Sequence, residues 1–128
     1  MSWQEYVDSN LMCADLESAA LLGHDGSVWA QSPAFPSVTE EQAAVVMKTF
    51  SGTFPEGGSF LLGDVKFMLV GSDDAETKLR GKCAGGGCSI SKTTKALVVG
   101  IWAENRCQAS KCNQVVETLG EYLVSVSF

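Results

Sequence analysis

Residues 60–70 read FLLGDVKFMLV. Phe60 to Leu62 and Val65 to Val70 are apolar-rich runs on either side of Gly63-Asp64, and a two-residue turn of that type between such runs predicts a β-hairpin. The same pattern continues toward the C-terminus. Ser72-Asp73-Asp74 predicts a turn into a strand over Glu76 to Cys83, followed by strands over Ser89 to Lys92 and Ala96 to Ala103. Ala84-Gly85-Gly86-Gly87 reads as a four-residue hairpin loop that would leave Cys83 and Cys88 opposite each other. Toward the N-terminus, Ala19 to Leu22 and Ser27 to Gln31 flank His24-Asp25-Gly26, a second hairpin signal, and Pro33 and Pro36 punctuate the loop that follows. Strands in succession joined by tight turns imply an antiparallel meander.

Helical spacing brackets the strands. Ser2-x-x-Glu5 is a capping-box pattern, in which Ser2 accepts from the backbone N–H of Glu5 and Glu5 reaches back. Trp3, Tyr6, Val7, Asn10 and Leu11 follow at helical intervals. Thr39-Glu40-Glu41-Gln42 repeats the box, and the helix after it is expected to end near Phe50, with Val45, Val46 and Phe50 turned inward. From about Ser110 to Ser125, Cys112, Val115, Val116, Leu119, Tyr122, Leu123 and Val126 form a wide apolar stripe. The expected fold class is α+β: an antiparallel sheet of five to seven strands with the terminal helices packed on it. Residues 1–128 are read as one domain, since 128 residues rarely build two cores.

Composition excludes several functions. Nine basic against fifteen acidic residues give a formal net charge of -6, the wrong sign for displacing counterions from nucleic acid. No apolar run approaches the roughly 20 residues that span a bilayer. Met1 to Asn10, MSWQEYVDSN, lacks a basic n-region before an apolar stretch, so no secretory signal and a cytoplasmic protein are expected. In that compartment the five cysteines, Cys13, Cys83, Cys88, Cys107 and Cys112, are expected as free thiols. Cys83-x4-Cys88 and Cys107-x4-Cys112 imitate a four-thiolate zinc site, but the 18 residues between them read as strand, so no metal and no cofactor are expected.

Catalytic chemistry finds no foothold. Gly52-x4-Gly57-Gly58-Ser59 has the outline of a phosphate loop with glycine in place of its lysine. His24 is the one imidazole, and it sits in an Asp-Gly turn where solvent exposure is expected. Asp73-Asp74 reads as an exposed acidic turn. The protein is expected not to be an enzyme. The aromatics are more informative: Trp3 and Tyr6 lie three apart on one terminal helix, and Tyr122 and Phe128 lie at the other end of the chain. Terminal helices packed side by side would bring these rings together, with Trp29 joining from a strand. Such a groove is what polyproline II recognition requires, because rings stack on proline faces while indole N–H and phenol O–H donate to ligand carbonyls. Burial of all five rings in the core explains the pattern equally well.

Several stretches together resemble the profilins, especially the short plant-like and protist forms. They are MSWQEYVD at the start, LGHDGSVWAQS over Leu22 to Ser32, Leu62-Gly63 with Val65 to Met68, and Arg80-Gly81-Lys82. Ala96 to Ile101, Asn113 to Glu117 and Leu119 to Leu123 complete the set, in order, over the full length. The resemblance implies a central antiparallel sheet with both terminal helices on one face and shorter helices on the other. It implies binding of monomeric actin, of proline-rich segments of formin-like actin-assembly factors and of phosphoinositide headgroups, and hence a cytoskeletal location. It implies a polyproline site at Trp3, Tyr6, Asn10, Trp29, Tyr122, Leu123 and Phe128, and an actin site at Lys66, Arg80, Lys82, Lys92, Asn113, Gln114 and Glu117. Three departures reduce the cationic character of the second site or reshape its border. Cys83 replaces a lysine, Ala103 to Lys111 lacks the usual Pro-Gly turn, and Thr118 replaces a base. An adaptor that reads polyproline and has lost actin is the alternative.

Overall fold

The computed structural model describes residues 2–70 and 76–128; the expected turn at Ser72-Asp73-Asp74 lies outside them. The chain forms α1 (Trp3–Tyr6), β1 (Ser18–Gly23), β2 (Val28–Gln31), α2 (Glu40–Phe50), β3 (Ser59–Leu62), β4 (Val65–Val70), β5 (Lys78–Cys83), β6 (Gly86–Lys92), β7 (Ala96–Ala103) and α3 (Ala109–Ser125). The strands make one seven-stranded antiparallel sheet in the order β2-β1-β7-β6-β5-β4-β3. The Gly63-Asp64 hairpin forms as expected, with Leu62 opposite Val65.

Strand alternation sorts side chains between two cores. Leu21, Val98 and Trp102 pack with Val7 and Leu11 of the N-terminal segment and Cys112, Val116, Leu119 and Leu123 of α3. On the opposite face, Leu22, Phe60, Phe67, Leu79, Ile90 and Val99 pack with Val46 and Phe50 of α2. The terminal helices thus share one face, and α2 covers the other, as the resemblance implies. Helix α3 can lie close on the sheet because Gly100 faces it: a Cβ there would come within 2.7 Å of Val116 and 3.0 Å of Leu16.

Local details depart from the sequence reading at five points. The glycine run is not a four-residue loop. Ala84-Gly85 turns the chain, and Gly86 and Gly87 are strand residues paired with Cys83 and Lys82, so Cys88 faces Gly81 rather than Cys83. A Cβ at Gly87 would come 2.8 Å from the Trp102 ring, which explains small residues in a strand. Val45 points outward, and Ala43, Val46, Thr49 and Phe50 are the inner residues of α2. The capping box of α2 is complete, but that of α1 is half made: Ser2 Oγ accepts from Glu5 N, and Ser2 donates to the Glu5 carboxylate, which does not reach the backbone. His24 is half-buried with Nε2 3.0 Å from the Thr93 carbonyl, not free in solvent. Of the α3 stripe, Tyr122 and Val126 are exposed.

Candidate functional site

The N-terminal segment is one α-turn followed by a π-helical turn over Val7–Leu11. Val7 and Leu11 are fully buried and pin it to the core. Gln4 Nε2 ties it to β2 by donating to the Gln31 carbonyl at 3.1 Å. That anchoring leaves Trp3 and Tyr6 half-buried on the outer side and Asn10 exposed one turn on. Trp29 arrives through a β-bulge. Leu21 pairs with Ala30 and Leu22 with Val28, so Trp29 is the extra residue of β2, a device that re-aims a side chain. Phe128 is held by its backbone oxygen, which accepts from Lys95 N at 2.6 Å and from the Thr93 hydroxyl. Lys95 Nζ also lies 5.0 Å from the Phe128 ring centroid.

These elements bring all five rings into one groove. Trp3 lies 4.9 Å from Trp29, 5.1 Å from Phe128 edge-on and 5.8 Å from Tyr6, and Tyr6 lies 6.2 Å from Tyr122. Pairing with the Tyr122 side chain is the main cause that raises the Tyr6 hydroxyl above the ordinary tyrosine range, so that phenol remains a protonated donor near neutral pH. Leu123, expected in this site, is 1% exposed and belongs to the core cluster against which Trp3, Tyr6 and Trp29 pack. Beyond Tyr122 the groove opens into a pocket of about 370 Å³ lined by Asn10, Lys111, Gln114, Thr118 and Tyr122 among others.

A second surface lies where α3 stops covering the sheet. Phe67 and Leu79 point to the α2 core, so alternation turns Lys66, Met68, Val70, Arg80 and Lys82 the other way. Met68 pairs with Lys82 and Val70 with Arg80, and Lys66 with Leu61 on β3. Leu61, Met68 and Val70 are exposed, giving an apolar patch with Lys66 and Lys82 at its rim. Arg80 is committed elsewhere: its guanidinium donates to both oxygens of Glu117 at 3.0 and 3.1 Å. Lys78 pairs with Glu121 at 3.4 Å. Asn113 sits one turn before Glu117 on the same side of α3. Lys92, expected on this surface, falls in the register that points to the α2 side, yet it lines two pockets, one with Thr49 and Phe50 and another with Lys78, Gly120 and Glu121 beside α3. Gln114, also expected here, lines the groove pocket beside Asn10.

Cys13 is exposed, Cys83 is half-buried, and Cys88, Cys107 and Cys112 are buried. Cys88 belongs to the α2 core and Cys107 and Cys112 to the other. Burial pushes Cys112 up to about 12 and raises Cys83, Cys88 and Cys107 above the usual thiol range. Among the described residues, no three of His, Cys, Asp and Glu converge as metal ligands, and no helix is long and apolar enough to cross a membrane.

The exposed apolar triad was hidden in the sequence because β3 and β4 are apolar on both faces, so alternation alone does not say which side is covered. Lys111 and Thr118 carry no sequence signal for the pocket beyond the rings; only the packing of α3 against the N-terminal segment places them there.

The profilin family model matches residues 1–128. Among solved structures, profilin IB of Acanthamoeba castellanii is similar at 35% identity and a TM-score of 0.87, over 99% of this chain and 100% of that one. Fission yeast (Schizosaccharomyces pombe) profilin is similar at 25% identity and 0.83, over 99% and 100%. Mouse profilin IIa, solved in complex with a double repeat from the FH1 domain of mDia1, is similar at 26% identity and 0.79, over all of both chains. The chain belongs to the profilin family, a family of non-enzymatic actin-binding proteins.

Proposed function

We propose that this chain is a cytoplasmic, cytoskeletal protein of one domain that binds monomeric actin, docks proline-rich segments of formin-like assembly factors, and so regulates filament assembly. The observation that carries the reading is the gathering of Trp3, Tyr6, Trp29, Tyr122 and Phe128 in one open groove. The mouse relative bound to an FH1 repeat supports it. Rings at steps of 5 to 6 Å suit a ligand that rises about 3.1 Å per residue, two residues to a ring. Actin is assigned to the open sheet face, where the Leu61, Met68 and Val70 patch supplies an apolar centre and Lys66 and Lys82 a charged rim. The two surfaces together would tether an actin monomer to a proline-rich factor and raise its local concentration.

The adaptor reading has its own observation: Glu117 and Glu121 occupy two of the cations of β5. Capture on polyproline resin followed by titration with monomeric actin decides. Capture without actin binding leaves the adaptor, and no capture overturns the groove. Phosphoinositide headgroups are assigned to the same exposed lysines, Lys66 and Lys82. Co-sedimentation with inositide-containing vesicles, against vesicles of neutral lipid, tests that assignment.

A further inference from the structure

The groove does not end with its rings. Asn10 is one helical turn past Tyr6, and Thr118 and Gln114 are one and two turns from Tyr122 along α3, so both walls continue past the last aromatic. The space they enclose is about 370 Å³, room for a side chain and its water. Its chemistry differs from the ring cluster. Lys111 is the charged lining residue, and Asn10, Gln114 and Thr118 supply amide and hydroxyl donors. Lys111 is exposed and forms no ion pair among the described residues, unlike Lys78 and Arg80. The path from Phe128 through Trp3 and Tyr6 to Tyr122 takes steps of 5.1, 5.8 and 6.2 Å, which holds about six residues of polyproline II chain. The residue next in line enters this pocket, which Val115 and Leu119 also line.

We propose that this pocket is a specificity subsite that takes an acidic side chain flanking a proline run, with Lys111 pairing to the carboxylate and Asn10 and Gln114 donating to it. The proposal rests on the polyproline reading of the ring groove. It also opposes the global field: a protein of net charge -6 attracts basic peptides by long-range steering, so a preference for acid has to come from the pocket.

Three sets of peptides test it, each titrated against the whole chain by tryptophan fluorescence: ten prolines alone, ten prolines with two aspartates, and ten prolines with two lysines. The charged residues are placed at the N-terminal end in one version and the C-terminal end in another, because a polyproline II ligand can lie either way. One aspartate version is expected to bind roughly two- to five-fold tighter than plain polyproline at low salt, the range of an exposed ion pair, and its lysine counterpart weaker. Lys111→Gln should level the three and Lys111→Glu should reverse their order, with plain polyproline unchanged in both variants. Equal affinities for all extended peptides, or tighter binding of the lysine versions, overturn the subsite while leaving the groove intact. Failure of plain polyproline to bind overturns the groove reading itself and this inference with it.

Discussion

The aromatic groove and the open sheet face share helix α3, yet they are built in opposite ways. In the groove, the residues that would touch a ligand are not those that hold the fold. Val7, Leu11 and Leu123 are buried beneath, and the rings lie over them, fixed by one another and by a bulge, a backbone bond and an aromatic edge contact. On the sheet face the two roles overlap. Arg80, the residue most readily assigned to a partner, is clasped by Glu117 and joins β5 to α3. The difference predicts that substitutions in the groove separate binding from stability, whereas those on the sheet face do so only at the unpaired lysines.

The largest effect is expected at Trp3. Its ring contacts Trp29, Tyr6 and Phe128, so Trp3→Ala removes the central stacking platform of the groove. Loss of a hot-spot aromatic costs about 2 to 4 kcal/mol, or roughly 30- to 1,000-fold in polyproline affinity. The unfolding temperature should fall by only a few degrees, because the anchors Val7 and Leu11 remain. A large fall would mean that the ring is core and that the groove does not separate the two roles.

Next comes Arg80→Glu, which sets two carboxylates against each other between β5 and α3. Losing charge-assisted hydrogen bonds of this kind costs about 1.5 to 3 kcal/mol, and in a domain of this size that lowers the unfolding temperature by roughly 5 to 10 °C. The exchanged pair Arg80→Glu with Glu117→Arg should recover much of the loss. A cycle without recovery would show that the clasp contributes nothing and that Arg80 is a surface cation after all. Actin measurements on Arg80→Glu alone would mix a lost contact with a shifted helix.

Much of this architecture was legible in the chain. Gly63-Asp64 and the Thr39 box announced their hairpin and helix because the signal is local: a turn geometry and a side chain that reaches its own backbone. The five rings were legible only as a possibility, since spacing puts Trp3 and Tyr6 on one face without saying whether that face is covered. The glycine run misleads because loops and close strand packing both select glycine, and only the Trp102 ring over Gly87 separates them. The Arg80–Glu117 clasp, joining residues 37 apart in sequence, left no local trace at all.

Cys112 offers a test of the seat that both surfaces share. Its thiol is buried under α3 and raised from 9.0 to about 12. The folded chain therefore keeps a proton that the unfolded chain releases above about pH 9. Stability from this group is full below pH 9 and declines as pH rises toward 12, by about 1.4 kcal/mol per pH unit. Cys88, raised in the same direction by burial, adds to the slope. Denaturant melts between pH 7 and 10.5 should show an alkaline decline that is shallower in Cys112→Ala. An unchanged slope would mean that the thiol reaches water and that α3 sits less tightly on Gly100 than its packing indicates.

The smallest effect is expected at Lys82. It is exposed, it faces Met68 across the strand pair, and it forms no ion pair among the described residues. Lys82→Glu should leave the unfolding temperature unchanged, since surface substitutions of this kind stay within about 0.5 kcal/mol. Its effect should fall on the actin association rate, roughly three- to ten-fold slower at low salt, because a rim charge steers the encounter more than it holds the complex. Raising the salt shortens the Debye length to about 3 Å at 1 M and should erase the difference. Polyproline affinity should not move, because the rings lie across α3 from this strand. If Lys82→Glu melts like the parent chain and binds actin at the same rate in low salt, the open face carries no electrostatic partner site. The contrast between the two surfaces would then be one between a binding groove and a bare sheet, and the adaptor reading would stand.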